Sequence, residues 1–198
     1  MVFLFDDRKI ANAILVYTMR PLIHSFDQTI TSYTTSLPAW LHSFFIVITS
    51  IGTPLITLSI GAAIALYGLY KSNSRLAVSG AVVWITFGAG SIIKLLVGRE
   101  RPLTEYAAHL TLDTLSFPSG HTSGSTIAYG LIAYILWQLL PKPLNYISTA
   151  LLIVLIILIG VSRIYLGAHF PSDVVAGCLL GIIMLGIVIF YIKPSVKR

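Results

Sequence analysis

Long apolar runs separated by short polar segments dominate the chain after residue 75. Four runs each hold about 20 residues, which is the length that a helix needs to cross the hydrocarbon core of a bilayer. They cover Leu76–Val97, Thr122–Leu140, Tyr146–Ile164 and Val174–Ile192. The pattern predicts four membrane-spanning helices.

A fifth apolar run extends from Trp40 to Tyr70 and is too long for one straight span. It contains Gly52-Thr53-Pro54, and proline lacks the amide hydrogen and clashes with the preceding helical turn. We therefore expect a helix to bend or restart there, with an interfacial piece before Gly52 and a membrane span after it.

The first 26 residues show a weaker pattern. Asp6-Asp7-Arg8-Lys9 precede a short apolar stretch, Ile10 to Met19, which Arg20-Pro21 interrupt. No uncharged run of spanning length occurs there, so we expect a partial or interfacial helix in residues 1–26. The segment Thr29 to Ser36 is rich in Thr and Ser and is expected to form an exposed connector.

The composition favours the same architecture. Of the 198 residues, 56% are hydrophobic and only 10% are charged, whereas a soluble domain carries about a quarter charged residues. So few polar groups cannot cover a globular surface, and most of the surface must face lipid. We therefore expect a single all-α domain, residues 1–198, built as a polytopic transmembrane helical bundle with five clear spans plus the N-terminal helix.

The net charge of +6 raises the alternative of a nucleic-acid binder. The positive residues form no single stripe, because they lie in short loops, at the C-terminus and near the polar motifs. We expect no nucleic-acid partner. The lone cysteine, Cys178, excludes an intramolecular disulfide.

The basic loop residues predict the orientation. Six of them have no acidic neighbours and mark the cytoplasmic side, and they are Lys71, Arg75, Lys142, Lys193, Lys197 and Arg198. The opposite side holds Gly98–Ser119 and Tyr165–Ser172, where acids and bases mix. The polar motifs end on that side, so we expect extracytoplasmic chemistry.

Three clusters place polar residues at the ends of apolar helices, where burial of charge is costly. The first runs from Lys94 to Pro102, and Lys94 and Arg101 lie seven residues apart. We interpret that spacing as two helical turns, which would direct both cations toward one site, with Pro102 ending the helix. For this cluster alone, the alternative is a snorkelling lysine and ordinary loop arginines.

The second cluster is Pro118-Ser119-Gly120-His121, directly before the helix expected from Thr122. Ser119 is a favoured N-cap residue, Gly120 permits close backbone approach, and free amides at a helix N-terminus bind anions. His121 would then stand beside the anion. A simple helix cap with an interfacial histidine is the alternative here.

The third cluster extends from Ser162 to Asp173 and joins two spans. Arg163 ends one span, Asp173 begins the next, and His169 lies four residues before Asp173. At that spacing a carboxylate can hold one imidazole tautomer and raise its basicity. A buried structural Asp–His pair is the alternative.

Together the clusters narrow the chemistry. Two histidines and an aspartate could bind zinc. However, Lys94, Arg101 and Arg163 would surround the same site, and three fixed cations disfavour a divalent metal and favour a phosphate dianion. Two histidines with separate roles suffice for phosphoryl transfer, which depends on positioning and charge stabilisation. We expect no metal and no cofactor.

The motifs Lys94-x6-Arg101-Pro102, Pro118-Ser119-Gly120-His121 and Ser162-Arg163-x5-His169-x3-Asp173 resemble the three signature motifs of the type-2 phosphatidic acid phosphatase superfamily. All three are complete and occur in the order of that family, and the likeness extends from about Phe26 to Ile192. Membrane members of the family usually have one span more, so the weak first segment departs from the pattern.

The resemblance implies specific roles. His169 would attack phosphorus and form a phosphohistidine, Asp173 would orient and activate His169, and His121 would protonate the leaving oxygen. The residues that would hold the phosphoryl oxygens are Lys94, Arg101, Ser119, Gly120, His121 and Arg163. The family also implies a helical core and no metal.

The resulting hypothesis is a bacterial-type phosphatase of the inner or plasma membrane, surrounded by membrane lipid and acting on a lipid phosphate. Undecaprenyl pyrophosphate is the first choice of substrate, because an outward-facing site suits carrier recycling, and phosphatidylglycerol phosphate and phosphatidic acid are the others. A lipid phosphotransferase with the same site remains an alternative. Membrane composition argues against a vanadium haloperoxidase of this superfamily, and complete motifs argue against a non-enzymatic lipid-binding protein. The sequence leaves the oligomeric state open.

Overall fold

The computed structural model describes residues 7–110 and 114–192. Within these residues the chain forms α-helices and no β-strand beyond an isolated bridge between Glu100 and Leu115. In chain order the helices are α1 (Asp7–Thr35), α2 (Leu41–Ile51), α3 (Pro54–Tyr70), α4 (Ser74–Val97), α5 (Glu105–Ala108), α6 (Gly120–Leu139), α7 (Leu144–Tyr165) and α8 (Pro171–Ile192). The predicted all-α class is confirmed.

In the described part of the chain, 4 helical segments are long and apolar enough to cross a membrane. They are Leu41–Tyr70, which comprises α2 and α3, Ser74–Val97, Leu144–Tyr165 and Pro171–Ile192. The predicted span Thr122–Leu140 corresponds to α6, which is not among them because its first half is rich in Ser, Thr and Gly. The prediction of five clear spans is thus confirmed for only four segments.

The expected break at Gly52-Thr53-Pro54 is present. α2 ends at Ile51, and Pro54 occupies the first turn of α3, where a missing amide hydrogen leaves no helical bond unmade. A Cβ on Gly52 would lie only 2.5 Å from Cγ2 of Ile159, so the chain passes very close to α7 at the break. The break lets α2 pack along α7 while α3 packs against α4 and α6.

The first helix is longer than the sequence pattern predicts. α1 continues through Pro21 and ends at Thr35, so the exposed connector expected at Thr29–Ser36 is wrong. Hydroxyl groups of this segment bond back to carbonyls of the preceding turn, as where Thr34 Oγ1 donates to the Ile30 carbonyl at 2.6 Å, which makes Thr and Ser compatible with the helix. The part of the N-terminal prediction that concerns residues 1–6 lies outside the described residues.

α6 is the central helix of the bundle and packs against α3, α4, α7 and α8. Every residue from Thr122 to Tyr129 is buried, as expected for a helix that is enclosed on all sides. Gly177 and Gly181 of α8 face this helix, and a Cβ on Gly177 would lie 2.5 Å from the Ser119 carbonyl oxygen. Small residues at this spacing let membrane helices approach closely. The contact fixes the start of α8 against the start of α6.

The buried apolar core lies between α4, α6 and α8, and its members are Val82, Val83, Ile127, Ala128, Leu131 and Val188. The polar motifs lie beyond one end of this core. They occupy the C-terminal ends of α4 and α7 and the N-terminal ends of α6 and α8. Four helix ends therefore build one polar region at one end of the bundle.

We expect Gly177→Ala to destabilise the protein by about 1–3 kcal/mol, because overpacking a tight contact forces the backbone to shift. Gly186→Ala in the same helix is the matched control, since nothing lies within 4 Å of its added Cβ. Alanine in a helix interior is favoured over glycine by about 1 kcal/mol, so the control should be neutral or stabilising. Thermal unfolding in detergent micelles compares the two variants, and equal midpoints would contradict the close α6–α8 contact.

Candidate active site

The first motif leaves α4 through a glycine turn. α4 ends at Val97, and Gly98 adopts φ +62°, a left-handed conformation that glycine reaches without strain, while its amide donates to the Lys94 carbonyl at 2.9 Å. The interpretation of Lys94 and Arg101 as two helical turns apart is therefore wrong. Pro102 does not end the helix, because the helix has already ended at Val97.

Extended chain, rather than helix, directs the arginines of this motif. The backbone forms the isolated bridge at Glu100, and side chains two residues apart in extended chain share a face. Arg99 and Arg101 therefore both turn toward the segment around His169. Arg101 Nη1 donates to the Ala168 carbonyl at 2.7 Å, and Lys94 Nζ donates to the Leu115 carbonyl at 2.8 Å.

Ser119 caps α6 as predicted, and the helix begins at Gly120, two residues before the expected start. Ser119 Oγ accepts hydrogen bonds from the amide of Thr122 at 3.4 Å and from its hydroxyl at 3.0 Å. The Ser119 amide donates to the Asp173 carbonyl at 3.0 Å, which joins the starts of α6 and α8. Ser119 is fully buried, so its hydroxyl serves the helix end.

A glycine turn at the end of α7 sets the position of His169. Gly167 adopts φ +69°, its amide donates to the Ile164 carbonyl, and the Ala168 amide donates to the Arg163 carbonyl, both at 2.9 Å. These two bonds are the Schellman pattern of a helix C-terminus. Thr104 Oγ1 donates to the Gly167 carbonyl at 2.9 Å and holds the turn from outside.

Asp173 lies behind His169. Its Oδ2 is 3.6 Å from His169 Nδ1 and accepts a hydrogen bond from the Phe170 amide at 2.9 Å. On the opposite edge of the imidazole, Arg101 Nη1 lies 3.1 Å from Nε2. A carboxylate beside Nδ1 and a guanidinium donor beside Nε2 together assign the proton to Nδ1. The Nε2 lone pair then faces away from Asp173.

Arg163 is buried near the end of α7 and is held by two residues that the sequence analysis did not identify. Its Nη1 donates to Thr49 Oγ1 at 2.6 Å and to Tyr106 Oη at 3.4 Å, and its guanidinium carbon lies 5.6 Å from the centroid of the Tyr106 ring. Thr49 comes from α2 and Tyr106 from α5. A single threonine in an apolar helix carries no sequence signal for this contact.

A cavity of about 520 Å³ collects the predicted site residues. All of them except Ser119 and Asp173 line it, namely Lys94, Arg101, Gly120, His121, Arg163 and His169. Pro54, Phe87 and Gly90 line another part of the same cavity, as does His109, which belongs to no motif. The volume is within the usual range of small-molecule sites, about 300–1,000 Å³. One cavity thus presents cationic, histidine and apolar groups together.

A second polar cluster lies on the far side of Asp173 and was missed by the sequence analysis. Arg99 Nη1 donates to Asp173 Oδ1 at 2.8 Å, and Arg99 Nη2 donates to Asp27 Oδ2 at 2.7 Å. The Ser172 amide donates to Asp27 Oδ1 at 2.8 Å. A second arginine inside the first motif was the available signal for Arg99. Asp27 lies far from the motifs in sequence, in a helix of mixed polarity, and no local pattern identifies it.

Comparison with known proteins places the chain in a family. Residues 74–197 match the PAP2 superfamily model. Phosphatidylglycerophosphatase B of Bacillus subtilis (strain 168) is 32% identical over 163 residues, which cover 75% of this chain and 74% of that protein. The chain therefore belongs to the PAP2 superfamily, and the resemblance found in the motifs is confirmed.

Two further comparisons concern the fold and the kind of enzyme. The crystal structure of a transmembrane PAP2 type phosphatidylglycerolphosphate phosphatase from Bacillus subtilis matches with a TM-score of 0.73 and 26% identity, covering 96% of this chain and 94% of that one. The putative undecaprenyl-diphosphatase YbjG of Escherichia coli (strain K12) is 36% identical over 118 residues, 57% of this chain and 51% of that protein. The chain thus spans about half the length of the E. coli relative. These similarities and the apolar helices identify an integral membrane enzyme of the lipid phosphatase class.

Orthovanadate is a phosphate analogue, and we expect Thr49→Val to weaken its inhibition of the enzyme roughly tenfold. The Thr49 hydroxyl orients Arg163, and a hydrogen bond to a charged group contributes about 1.5–3 kcal/mol. Valine has nearly the shape of threonine, so packing is preserved while the hydroxyl is lost. Thr49→Ser keeps the hydroxyl and is the matched control. Inhibition constants of the three proteins test this, and equal constants would show that Thr49 does not orient the anion site.

Proposed function

We propose that the protein is a metal-independent lipid phosphate phosphatase that acts through a phosphohistidine on His169. The observation that carries the proposal is the cavity in which Lys94, Arg101 and Arg163 meet His121 and His169. Fixed cations stabilise the negative charge of a phosphate and of its transition state. The apolar part of the same cavity suits the lipid end of the substrate.

In the proposed first step His169 Nε2 attacks phosphorus as the bond to the leaving oxygen breaks. The Nδ1 proton stays on the imidazole, and the nearby Asp173 carboxylate stabilises the positive charge that develops there. Arg101 Nη1, which contacts Nε2, transfers its hydrogen bond to a phosphoryl oxygen. Lys94 and Arg163 hold the remaining charge of the phosphoryl group.

In the same step His121 gives a proton to the leaving oxygen, and the lipid alcohol departs. Water then attacks phosphorus, His121 takes a proton from that water, and inorganic phosphate leaves as the bond to His169 breaks. Gly120 contributes by its position at the start of α6, where backbone amides lie close to the anion. The three cations supply the charge stabilisation for which other phosphatases use metal ions, so the proposal needs no metal. Since Ser119 is fully buried, we propose that it acts by capping α6.

For the substrate we propose phosphatidylglycerol phosphate first. Phosphatidylglycerophosphatase B of B. subtilis matches 75% of this chain, and the crystal structure of the B. subtilis phosphatidylglycerolphosphate phosphatase covers 96% of it. Undecaprenyl pyrophosphate, the first choice from sequence, is the second candidate, supported by the name of the E. coli relative and consistent with the extracytoplasmic site proposed below. A phosphate-release screen with both lipids and phosphatidic acid ranks the candidates by kcat/KM. Transfer of labelled phosphate to a second lipid would instead indicate a phosphotransferase.

We propose that the cavity opens at the extracytoplasmic face. Lys71, Arg75 and Lys142 lie in or beside the turns that join α3 to α4 and α6 to α7, at the helix ends opposite the site. Their charge marks the cytoplasmic side under the positive-inside rule. Lys193, Lys197 and Arg198, which supported the same orientation in sequence, lie outside the described residues.

Replacement of the nucleophile is the direct test of the mechanism. His169→Ala should insert and fold, yet lose nearly all turnover and the acid-labile phosphoenzyme, because no other group in the proposal attacks the phosphorus of the lipid substrate. His42→Ala, at an exposed position of α2, is the control and should keep full activity. All assays contain a chelator. Substantial hydrolysis by folded His169→Ala, or a loss of wild-type activity that zinc or magnesium restores, would remove the mechanism.

Loss of the general acid should depend on the leaving group. General acid catalysis contributes about 10²–10⁴-fold, so His121→Ala should lose that much on phosphatidic acid, whose alkoxide leaving group needs a proton. The loss should be far smaller on nitrophenyl phosphate, because nitrophenolate is already a stable anion. Single-turnover phosphoenzyme formation measures both rates. Equal losses on both substrates would mean that His121 only binds phosphate.

The orientation is tested by cysteine labelling in a chain in which Cys178 is replaced by alanine. Leu103 lies beside the site and its side chain is fully exposed, so Leu103→Cys reports on that side. Tyr70→Cys is its counterpart at the opposite end of the bundle, where the tyrosine is 80% exposed. In intact cells a membrane-impermeant thiol reagent should label the cysteine at position 103 and spare the one at position 70. The reverse labelling pattern would place the site on the cytoplasmic face.

A further inference from the structure

We infer that Arg99 is a positioning residue for the reaction, and that α1 takes part in the active site by holding Arg99 through Asp27. The inference rests on the proposed role of His169 and adds two residues that none of the three motif patterns specifies. Neither residue lines the catalytic cavity. Both act on Asp173, the carboxylate behind the proposed nucleophile.

Asp173 is held by both oxygens of its carboxylate. Oδ2 accepts the Phe170 amide at 2.9 Å and lies 3.6 Å from His169 Nδ1, while Oδ1 accepts Arg99 Nη1 at 2.8 Å. The side chain is completely buried. Without Arg99, Oδ1 would lose a charge-assisted hydrogen bond, and the carboxylate could rotate away from the imidazole. Arg99 and the Phe170 amide together therefore determine which way Asp173 faces.

Arg99 is itself held on several sides. Its Nη2 donates to Asp27 Oδ2 at 2.7 Å, and its Nη1 also donates to Ser172 Oγ at 2.7 Å. The guanidinium carbon lies 4.1 Å from the centroid of the Phe170 ring, a stacking distance that favours a planar cation. The side chain is 27% exposed, so one edge still reaches solvent. A flexible lysine cannot present two donors in this fixed planar arrangement.

Asp27 of α1 completes the start of α8. Its Oδ1 accepts the Ser172 amide at 2.8 Å, and its Oδ2 accepts the Ser172 hydroxyl at 2.8 Å. Phe170 precedes α8 and has no side-chain oxygen, so Asp27 supplies the acceptor that an N-cap residue would normally provide. The bond from the Phe170 amide to Asp173 is the other half of a capping box. A helix distant in sequence thus fixes the first turn of α8 and the carboxylate on it.

Kinetic constants distinguish a positioning role of Arg99 from a role in phosphate binding. Removal of a residue that binds phosphate changes KM and the inhibition constant of inorganic phosphate, which binds as a ground-state ligand. Removal of a positioning residue that acts through His169 lowers kcat and leaves both constants nearly unchanged. Arg99 contacts Asp27, Ser172 and Asp173 and does not line the cavity, so the structure assigns it the positioning role, in which kcat falls and KM is nearly unchanged.

The test is Arg99→Ala, with Arg75→Ala as the control for loss of an exposed arginine. A small misplacement of a reacting group costs about 10²-fold, so kcat of Arg99→Ala should fall by roughly that factor with little change in KM or in inhibition by inorganic phosphate. Guanidinium ion at millimolar concentration should restore part of the loss in Arg99→Ala and have no effect on Arg75→Ala. An unchanged kcat, or a loss that appears in KM, would overturn the inference. If Arg99→Ala does not fold, Arg99→Lys is measured in its place and should show the same loss of kcat.

Asp27 is tested by a double-mutant cycle. If Asp27 acts through Arg99, Asp27→Asn should lower kcat on its own, and the double variant should lose no more than Arg99→Ala alone. Losses that multiply would show that Asp27 does not act through Arg99 and would overturn that part of the inference. His169→Ala is included in the same assay. If His169→Ala is inactive and Arg99→Ala is fully active, only this inference is overturned. If His169→Ala is active, the proposed function itself is overturned.

Discussion

The structure around the site depends on the cost of holding three cations close together at one end of an apolar bundle. Charged groups that are removed from water and placed near one another are costly unless fixed hydrogen bonds hold them. Lys94 reaches a backbone carbonyl of the loop before α6, Arg101 reaches the carbonyl before His169, and Arg163 reaches a threonine of α2. A phosphate dianion bound among them would relieve the repulsion between these cations, so the cost of placing them together would favour anion binding.

The site is built from helix ends, and the way each helix ends determines what it presents. Glycines in left-handed conformations turn the chain sharply after α4 and after α7, which releases Arg101 and His169 from helical geometry. Ser119 before α6, Asp173 in the first turn of α8 and Asp27 of α1 accept hydrogen bonds from amides at the starts of α6 and α8 that have no partner within their own helix. Positive groups consequently face the cavity, while the carboxylates stand behind the histidine.

The sequence predicted the class of fold and the set of residues that line the cavity better than it predicted how they reach it. Motif residues at the ends of apolar runs had to meet, because polar groups avoid lipid and collect at one polar region. The route of the chain between Lys94 and Arg101 depended on the conformation of Gly98, which spacing alone does not reveal. Ser119 was recognised as a cap, but its complete burial followed from α8 packing against it. The contacts of Asp27 and Thr49 join distant segments and leave no local pattern.

All the proposed reacting groups lie at the same end of the helical bundle, so the cavity would serve one leaflet of the bilayer. A phosphorylated headgroup does not readily pass through hydrocarbon, because a charged group there loses its hydration. We therefore expect the enzyme to act only on lipid molecules whose headgroups already lie in that leaflet. A lipid phosphate made in the other leaflet would have to be translocated first, and its hydrolysis could be no faster than that translocation.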